Sequence, residues 1–304
     1  MNQDFRVTTG IVGLDHILFG GFIKNSINTI VGGSGTGKTT MALKYIYEGV
    51  KLGEHVLYIS FEEEPTKLIK EAKSLGINFY DLTDNPEDLI HMVESEKIVE
   101  FMTSVLPVLS NKLKNQKIKH TRVVLDPLTP FLWEFSSERE LRKVLTKVYY
   151  HLRTLGTIFQ TVEEVQVFGN TNMENKEIRV PLYLSDAIIH IQNLGFSSIY
   201  SRTCRVIKSR QTPHLEGLFP VKFVYGPGIV INTIENANNA KEIEDEKLEN
   251  ILKQINKWEK EKDTKRRVIA RLAKKVYLTD KITSKREKYQ ILSTIINPEV
   301  VKEV

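Results

Sequence analysis

The chain has 304 residues, of which 41% are hydrophobic and 27% charged, the balance of a folded globular protein rather than a disordered one. No apolar run approaches a membrane span, the start Met1-Asn2-Gln3-Asp4-Phe5-Arg6 lacks the shape of a signal peptide, and the lone Cys204 excludes an intrachain disulfide framework or a cysteine metal cluster. A cytoplasmic protein is expected, and its net charge of +5 is unevenly placed: residues 1–235 carry 26 basic and 26 acidic side chains, residues 236–304 carry 17 and 12, and the stretch 251–290 alone carries 14 and 5.

Short apolar runs alternate with helical patterns through about residue 200. Residues 26–31 are β-branched and bounded by glycine, and read as a strand; residues 41–47 read as helix, with Ala42, Leu43 and Ile46 at helical spacing. After Gly53, residues 56–60 read as a strand, and residues 65–74 as a helix stopped by Gly76. Residues 122–125 form a buried strand ending in Asp126. Residues 137–155 form a helix, with Ser136 or Ser137 as N-cap and Gly156 as the stop; residues 157–162 and 187–191 are further strands. This alternation predicts an α/β fold with a mainly parallel sheet flanked by helices. From Ser197 onward strand follows strand, with turn signals at Thr212-Pro213, Gly217 and Gly226-Pro227-Gly228, which predicts antiparallel edge strands. The polar run Asn236-Ala237-Asn238-Asn239-Ala240 reads as a linker, so residues 1–235 are expected as one domain and residues 236–304 as a basic helical extension. In that extension Leu248, Ile251, Leu252, Ile255 and Trp258 share one helical face; Val268, Ile269, Leu272 and Val276 mark a second helix, and Ile291, Leu292, Ile295 and Ile296 a third.

Between the first strand and its helix lies Gly32-Gly33-Ser34-Gly35-Thr36-Gly37-Lys38-Thr39-Thr40, which fits the phosphate-binding pattern G-x-x-x-x-G-K-[ST] in its required strand–loop–helix setting. Glycines let backbone N–H groups approach phosphate oxygens with no Cβ in the way, and the helix N-terminus favours the same anion. Lys38 has the reach for β- and γ-phosphates, and the Thr39 hydroxyl suits Mg²⁺. Glu62-Glu63-Glu64-Pro65 directly follows a strand, where carboxylates can raise one another's pKa and activate water; a solvated, dipole-favoured first helical turn explains the same residues. Asp126 ends its strand as a Walker-B aspartate does, supporting Mg²⁺, although a turn before Pro127 also accommodates an aspartate.

Taken in order, Thr9-Gly10-Ile11-Val12-Gly13-Leu14-Asp15, Gly20-Gly21, the glycine loop, Phe61-Glu62-Glu63, Leu125-Asp126, Leu184-Ser185-Asp186, Lys208-Ser209-Arg210-Gln211-Thr212-Pro213-His214, Pro220 and Gly228-Ile229 resemble the KaiC family within the RecA-like P-loop ATPases, over about residues 5–235. The resemblance implies a RecA-like core, ATP binding and hydrolysis with Mg²⁺, and a homo-oligomeric ring, a hexamer, with nucleotide at subunit interfaces. By position it gives Gly32 to Thr40 to the nucleotide, Thr39 and Asp126 to the metal, and Glu62 and Glu63 to catalysis, with Glu63 polarising the water. It gives Lys208, Arg210, Thr212 and His214 to a segment that meets the neighbouring subunit's ATP. Without the resemblance, Lys208 and Arg210 read as a solvated strand face. Departures are Ile23 and Asn25 where proline and glycine are usual, Pro127 after the Walker-B aspartate, and Gln211 where glycine is common, which would seat the trans loop differently. Clock function and autokinase activity are not carried over to a single such domain.

Two features fall outside these motifs. The segment 168–176, rich in Asn and Gly, reads as a contact loop facing a ring channel or as a plain hairpin. The basic residues Lys265, Arg266, Arg267, Arg271, Lys274, Lys275, Lys281, Lys285, Arg286 and Lys288 form either a nucleic-acid surface or the solvated face of a helical bundle that packs on the core or on a protein partner. The expected function is an ATPase acting as a switch or motor on a partner; the alternatives are a RecA/RadA-type DNA-handling ATPase and a nucleotide-binding scaffold with little hydrolysis.

Overall fold

Every residue of the strand that feeds the glycine loop is buried, and a nine-stranded sheet is built around it. The computed structural model describes residues 5–233 except 117, 119, 165, 168–169, 172–175 and 194–201, and beyond them residues 252–253, 255–260, 264–277 and 292. In chain order, β1 (Arg6–Val7), α1 (Leu14–Ile17) and β2 (Phe22–Ile23) precede β3 (Ile27–Gly32), α2 (Lys38–Lys51), β4 (His55–Ser60), α3 (Pro65–Ser74) and β5 (Ile90–Met92). Then come α4 (Ile98–Glu100), α5 (Leu106–Asn115), β6 (Thr121–Asp126), α6 (Thr129–Trp133), α7 (Glu138–Leu155), β7 (Gly156–Glu163), the pair β8 (Gln166–Val167) and β9 (Asn170–Thr171), and α8 (Lys176–Leu184). β10 (Ala187–Asn193), β11 (Arg202–Ser209), β12 (Phe219–Val224) and β13 (Gly228–Ile231) complete the sheet, whose order is β13-β12-β11-β10-β3-β7-β6-β4-β5. The pairs from β10 across to β5 are parallel. Those from β10 out to β13 are antiparallel, the expected edge.

Strand alternation sends side chains to two cores. Ile30, Val124 and Phe159 join the residues of α2 and α3 on one face. Ile27, Val123, Leu125, Ile158 and Val162 meet α7 and α8 on the other. On α7 the buried residues Leu141, Leu145, Val148, Leu152 and Leu155 recur at helical spacing, which is why its pattern was legible. Arg122 is fully buried at the start of β6. It ion-pairs with Glu54, donates to the carbonyls of Thr8 (2.6 Å) and Tyr45 (3.2 Å), and stacks 4.8 Å from the centroid of the Tyr45 ring.

Several local expectations change. Ser137 is the N-cap of α7 but makes no side-chain capping bond. Gly156 does not simply stop that helix; it begins β7 in extended conformation, and a Cβ there would lie 1.9 Å from the Thr121 carbonyl oxygen, so close pairing of β6 and β7 requires glycine. Residues 98–115 form a helical run that no sequence period announces. A π turn, Phe101–Val105, interrupts the 3.6-residue repeat and widens the coil just before Pro107, which has no N–H to donate. Asn25 and Gln211 adopt φ of 60° and 65°, the left-handed region that glycine enters most easily, so both substitutions keep the glycine-like backbone.

By its internal contacts the chain divides into two units, Met1–Thr233 and Ile234–Val304. The second contains the helix Thr264–Tyr277 and a small apolar cluster of Ile255, Trp258, Ile269, Ala270, Ala273 and Leu292. Of the residues that mark this helix, Ile269 is buried and Val268 is 49% exposed, and the small Ala270 and Ala273 pack beside Ile269. Arg266, Arg267 and Arg271 are exposed, Arg266 lying 5.6 Å from the centroid of the Trp258 ring, and Lys274 ion-pairs with Glu259. The linker 236–240, the third helix apart from Leu292, the basic residues beyond 277, and most of the segment 168–176 lie outside the described residues.

Candidate nucleotide site

At the carboxyl end of the parallel strands, where open α/β sheets bind ligands, lies a cleft of about 410 Å³. Its glycine-loop wall is Ser34, Gly35, Gly37, Lys38, Thr39 and Thr40. Gly32 and Gly33 lie beneath: the Thr36 hydroxyl donates to the Gly33 carbonyl at 2.8 Å, and a Cβ on Gly32 would meet that hydroxyl oxygen at 2.8 Å and the Ile191 carbonyl at 2.4 Å. Gly35 and Gly37 have φ of 70° and 105°. The loop is thus a backbone cradle closed to side chains, followed at once by the start of α2.

The Lys38 ammonium donates to the Gly33 carbonyl at 2.9 Å and lies 3.8 Å from Glu163. Burial lowers its pKa, against the pull of Glu163, Asp126, Glu62 and Glu164. Among the described residues, five carboxylates share the cleft with this one cation: Glu62, Glu63, Glu71, Asp126 and Glu163. Asp126 is buried and accepts hydrogen bonds from Tyr58 and Thr161, with the Thr39 hydroxyl as a further partner. Burial raises its pKa more than these bonds and Lys38 lower it. Glu62 stands at the rim, its pKa raised by burial first and then by Glu163, Asp126 and Glu63. Glu63 is held by two bonds between its backbone and Ser60 Oγ (3.0 and 2.7 Å). Its Oε1 pairs with Lys67 at 3.0 Å, and its Oε2 is buried with no partner among the described residues. An excess of carboxylate around a phosphate cradle, with Thr39 and Asp126 side by side and an orphaned carboxylate oxygen, suits a divalent cation bound with a polyphosphate.

Sequence reasoning missed Glu71 and Glu163. Glu163 ends β7 as Asp126 ends β6, and Lys67 and Glu71, both on α3, follow Glu63 at steps of four residues, so strand-end position and helical spacing were the available signals. Phe223 had no local signal, since it arrives from β12.

The K-x-R segment is not part of this cleft within one chain. Lys208 pairs in register with Ile188 near the start of β10, and the Arg210 N–H donates to the Asp186 carbonyl at 2.8 Å. Asp186 in turn sits beside Ile27, the first residue of β3, whereas the glycine loop leaves its last residue, Gly32. Five strand residues separate the two ends, roughly 16 Å. Lys208 donates to the Leu182 and Tyr183 carbonyls (3.1 Å each), and Arg210 to that of Tyr183 (3.4 Å). Burial, then Arg210, lowers the Lys208 pKa. Arg210 lines a separate groove of about 450 Å³ with Arg142, Tyr150, Arg153 and Tyr183. Thr212 accepts a bond from Arg6, and His214 follows in the connection to β12; neither lines the nucleotide cleft.

Residues 7–236 match the family described as "ATPase: KaiC". The chain belongs to the KaiC ATPase family. It is 28% identical over 233 residues to the circadian clock oscillator protein KaiC of Thermostichus vulcanus, an alignment covering 74% of this chain and 44% of that protein. With the circadian clock protein KaiC3 of Synechocystis sp. it shares 27% identity over 238 residues, 74% of this chain and 45% of the relative. The chain thus spans less than half the length of these clock relatives. The crystal structure of a KaiC-like protein from the hyperthermophilic archaeon Pyrococcus horikoshii OT3 superposes with a TM-score of 0.59 at 25% identity, covering 75% of this chain and 99% of that one. The mainly parallel sheet with flanking helices is therefore the RecA-like fold of a KaiC family member. Among the described residues, no helix is long and apolar enough to cross a membrane.

Proposed function

We propose that this KaiC family member binds ATP with Mg²⁺ in the glycine-loop cleft and hydrolyses it at the interfaces of a homo-oligomeric ring, a hexamer, which acts as a switch or motor on a partner. The reading is carried by one observation: Lys38, Thr39, Glu62, Glu63 and Asp126 line a single cleft, while Lys208 and Arg210 lie at the opposite end of the same sheet.

The loop N–H groups and Lys38 bind the phosphates; Gly32 keeps the loop close to β10. Thr39 and Asp126 would hold Mg²⁺, which would supply positive charge against the phosphates. Tyr58 and Thr161 orient the Asp126 carboxylate through their hydrogen bonds. Glu63, fixed by Ser60, accepts the proton of the attacking water, and Glu62 keeps the γ-phosphate end acidic and water-ordering. Arg210 and Lys208 of one subunit supply cationic charge to the γ-phosphate in the next. Arg142, Tyr150 and Tyr183, which line a groove with Arg210, lie at that contact.

The test mixes two variants. Arg210→Ala keeps its own cleft and binds ATP but turns it over poorly; Lys38→Ala keeps its arginine but binds ATP poorly. After subunit exchange, mixed interfaces pair an intact cleft with an intact arginine, and phosphate release recovers in part. No recovery in demonstrated mixed rings overturns the interface reading. Turnover independent of dilution down to verified monomers overturns the ring. Adding DNA separates a DNA-handling ATPase, whose rate it raises, from one that serves a protein partner.

A further inference from the structure

The second compact unit, Ile234–Val304, packs together two helical stretches whose outer rows are basic. Residues 252–253 and 255–260 are helical, and so is Thr264–Tyr277. Ile255, Trp258, Ile269, Ala270, Ala273 and Leu292 are buried in one small cluster. In the first stretch Lys253, Lys257 and Lys260 are exposed at i, i+4 and i+7. At 3.6 residues per turn they lie within about 60° of one another, on the side away from Ile255 and Trp258. In the second stretch Arg267, Arg271 and Lys274 repeat the same spacing.

Like charges four residues apart on a helix repel and cost helix stability. A surface that only faces water avoids this by mixing signs. Here, among the described residues of the two stretches, Glu259 is the one carboxylate. Lys274 donates to it, and that hydrogen bond lowers the Glu259 pKa; the charges of Lys274, Arg271 and Lys260 lower it further. Cations of both rows thus gather around one anion, and the rows form a single face. Such a face is neutralised by an external polyanion. Double-stranded DNA presents one negative charge per about 1.7 Å of its axis, and lysine and arginine suffice to contact its phosphates. Insertion into a membrane surface would need an apolar helix face, and Ile255, Trp258 and Ile269 are buried. A single strand would need an exposed aromatic ring on which its bases stack, and Trp258 is 9% exposed.

We infer that this face, formed by Lys253, Lys257 and Lys260 with Arg267, Arg271 and Lys274, binds double-stranded DNA through its phosphates, without sequence preference. The inference goes beyond the proposed ATPase and does not depend on it, since binding by this unit requires no nucleotide. Each cation that meets a phosphate releases a counterion from the duplex, so affinity falls steeply with salt. Lys257, Lys260, Arg267 and Arg271 by themselves predict a slope of about 3 to 4 in log Kd against log salt.

The experiment is fluorescence anisotropy of a labelled, mixed-sequence DNA duplex titrated with the full chain across a salt series, without nucleotide. A labelled single strand and vesicles of phosphatidylserine and phosphatidylcholine are titrated alongside. The proteins are the wild type, the double variants Lys257→Gln with Lys260→Gln and Arg267→Gln with Arg271→Gln, and Glu259→Gln. Wild type binds the duplex more tightly than the single strand or the vesicles, with at least the slope given above. Each double variant loses two phosphate contacts: the slope falls by about 2, and near 0.1 M salt binding weakens about 10- to 60-fold. Glu259→Gln removes the anion and releases Lys274, so it binds the duplex more tightly and with a steeper slope, a gain that misfolding does not produce. Wild type that fails to bind the duplex at low salt, or binds it with no salt dependence, overturns the inference. So do double variants that bind as wild type does, which would place the contact elsewhere on the chain, and so does tighter binding to the single strand or to the vesicles. Glu259→Gln that binds no more tightly than wild type overturns the shared face of the two rows. Because no nucleotide is present, every one of these results leaves the reading of the ATP cleft untouched.

Discussion

Replacing Lys38 by methionine tests the charge arrangement of the cleft, because affinity and stability are expected to move differently. Among the described residues, Lys38 is the one cation in a cleft lined by five carboxylates. On ATP binding it would exchange the Gly33 carbonyl, now 2.9 Å away, for β- and γ-phosphate oxygens. Two charge-assisted hydrogen bonds, each about 1.5–3 kcal/mol, put the loss at about 3–6 kcal/mol, or about 10²- to 10⁴-fold in Kd. The free protein responds in another direction. Burial lowers the Lys38 pKa despite Glu163, Asp126, Glu62 and Glu164 around it, so the fold disfavours the charged ammonium relative to the unfolded chain. A lysine with a lowered folded pKa contributes stability that grows as pH rises through that pKa. Near neutrality its charge is a cost, and methionine, of similar length and uncharged, removes it. Lys38→Met should therefore melt at or above the wild-type midpoint without nucleotide, and should lose the upward shift that ATP and Mg²⁺ give the wild type. Calorimetry and thermal melts with and without ATP read both effects. Wild-type affinity in a folded Lys38→Met protein would refute the phosphate role, and a clear drop in the nucleotide-free midpoint would refute the charge reasoning.

Glu63→Gln should retain ATP binding and lose most phosphate release, with Glu62→Gln impaired as well; if both turn over at the wild-type rate, the acidic pair is only the start of α3 and the scaffold reading gains. Arg122→Ala should destabilise the domain by about 3–5 kcal/mol, because it strips the Thr8 and Tyr45 carbonyls and Glu54 of a buried partner; chemical denaturation measures this, and a loss below about 1 kcal/mol would contradict it. Burial first, and neighbouring carboxylates next, raise the pKa of Glu71. A carboxyl with a raised folded pKa is destabilising when ionised, and the cost disappears as pH falls through that pKa. Wild type minus Glu71→Gln should thus gain relative stability on mild acidification from pH 7; a difference in melting midpoint that does not change with pH would remove Glu71 from the cleft's charge balance.

Local order made much of this protein legible. The glycine loop, its strand and its helix are contiguous, so one stretch of sequence specifies a cradle whose Gly33 carbonyl is bonded by the loop's own Thr36 and by Lys38. The 65–74 helix and the apolar face of α7 could be read because each buries a regular stripe against the sheet. The 98–115 helix could not, since its π turn breaks the repeat on which such reading depends. Glu71 and Glu163 reach the cleft from α3 and from the end of β7, and Phe223 from a hairpin pinned to Leu75 by a single backbone bond. Each of these side chains is ordinary in its own segment. Sheet order alone, through the register of β11 on β10 and of β10 on β3, decides that Lys208 and Arg210 face away from Lys38. That separation comes from pairing between distant strands, which no local pattern of residues encodes.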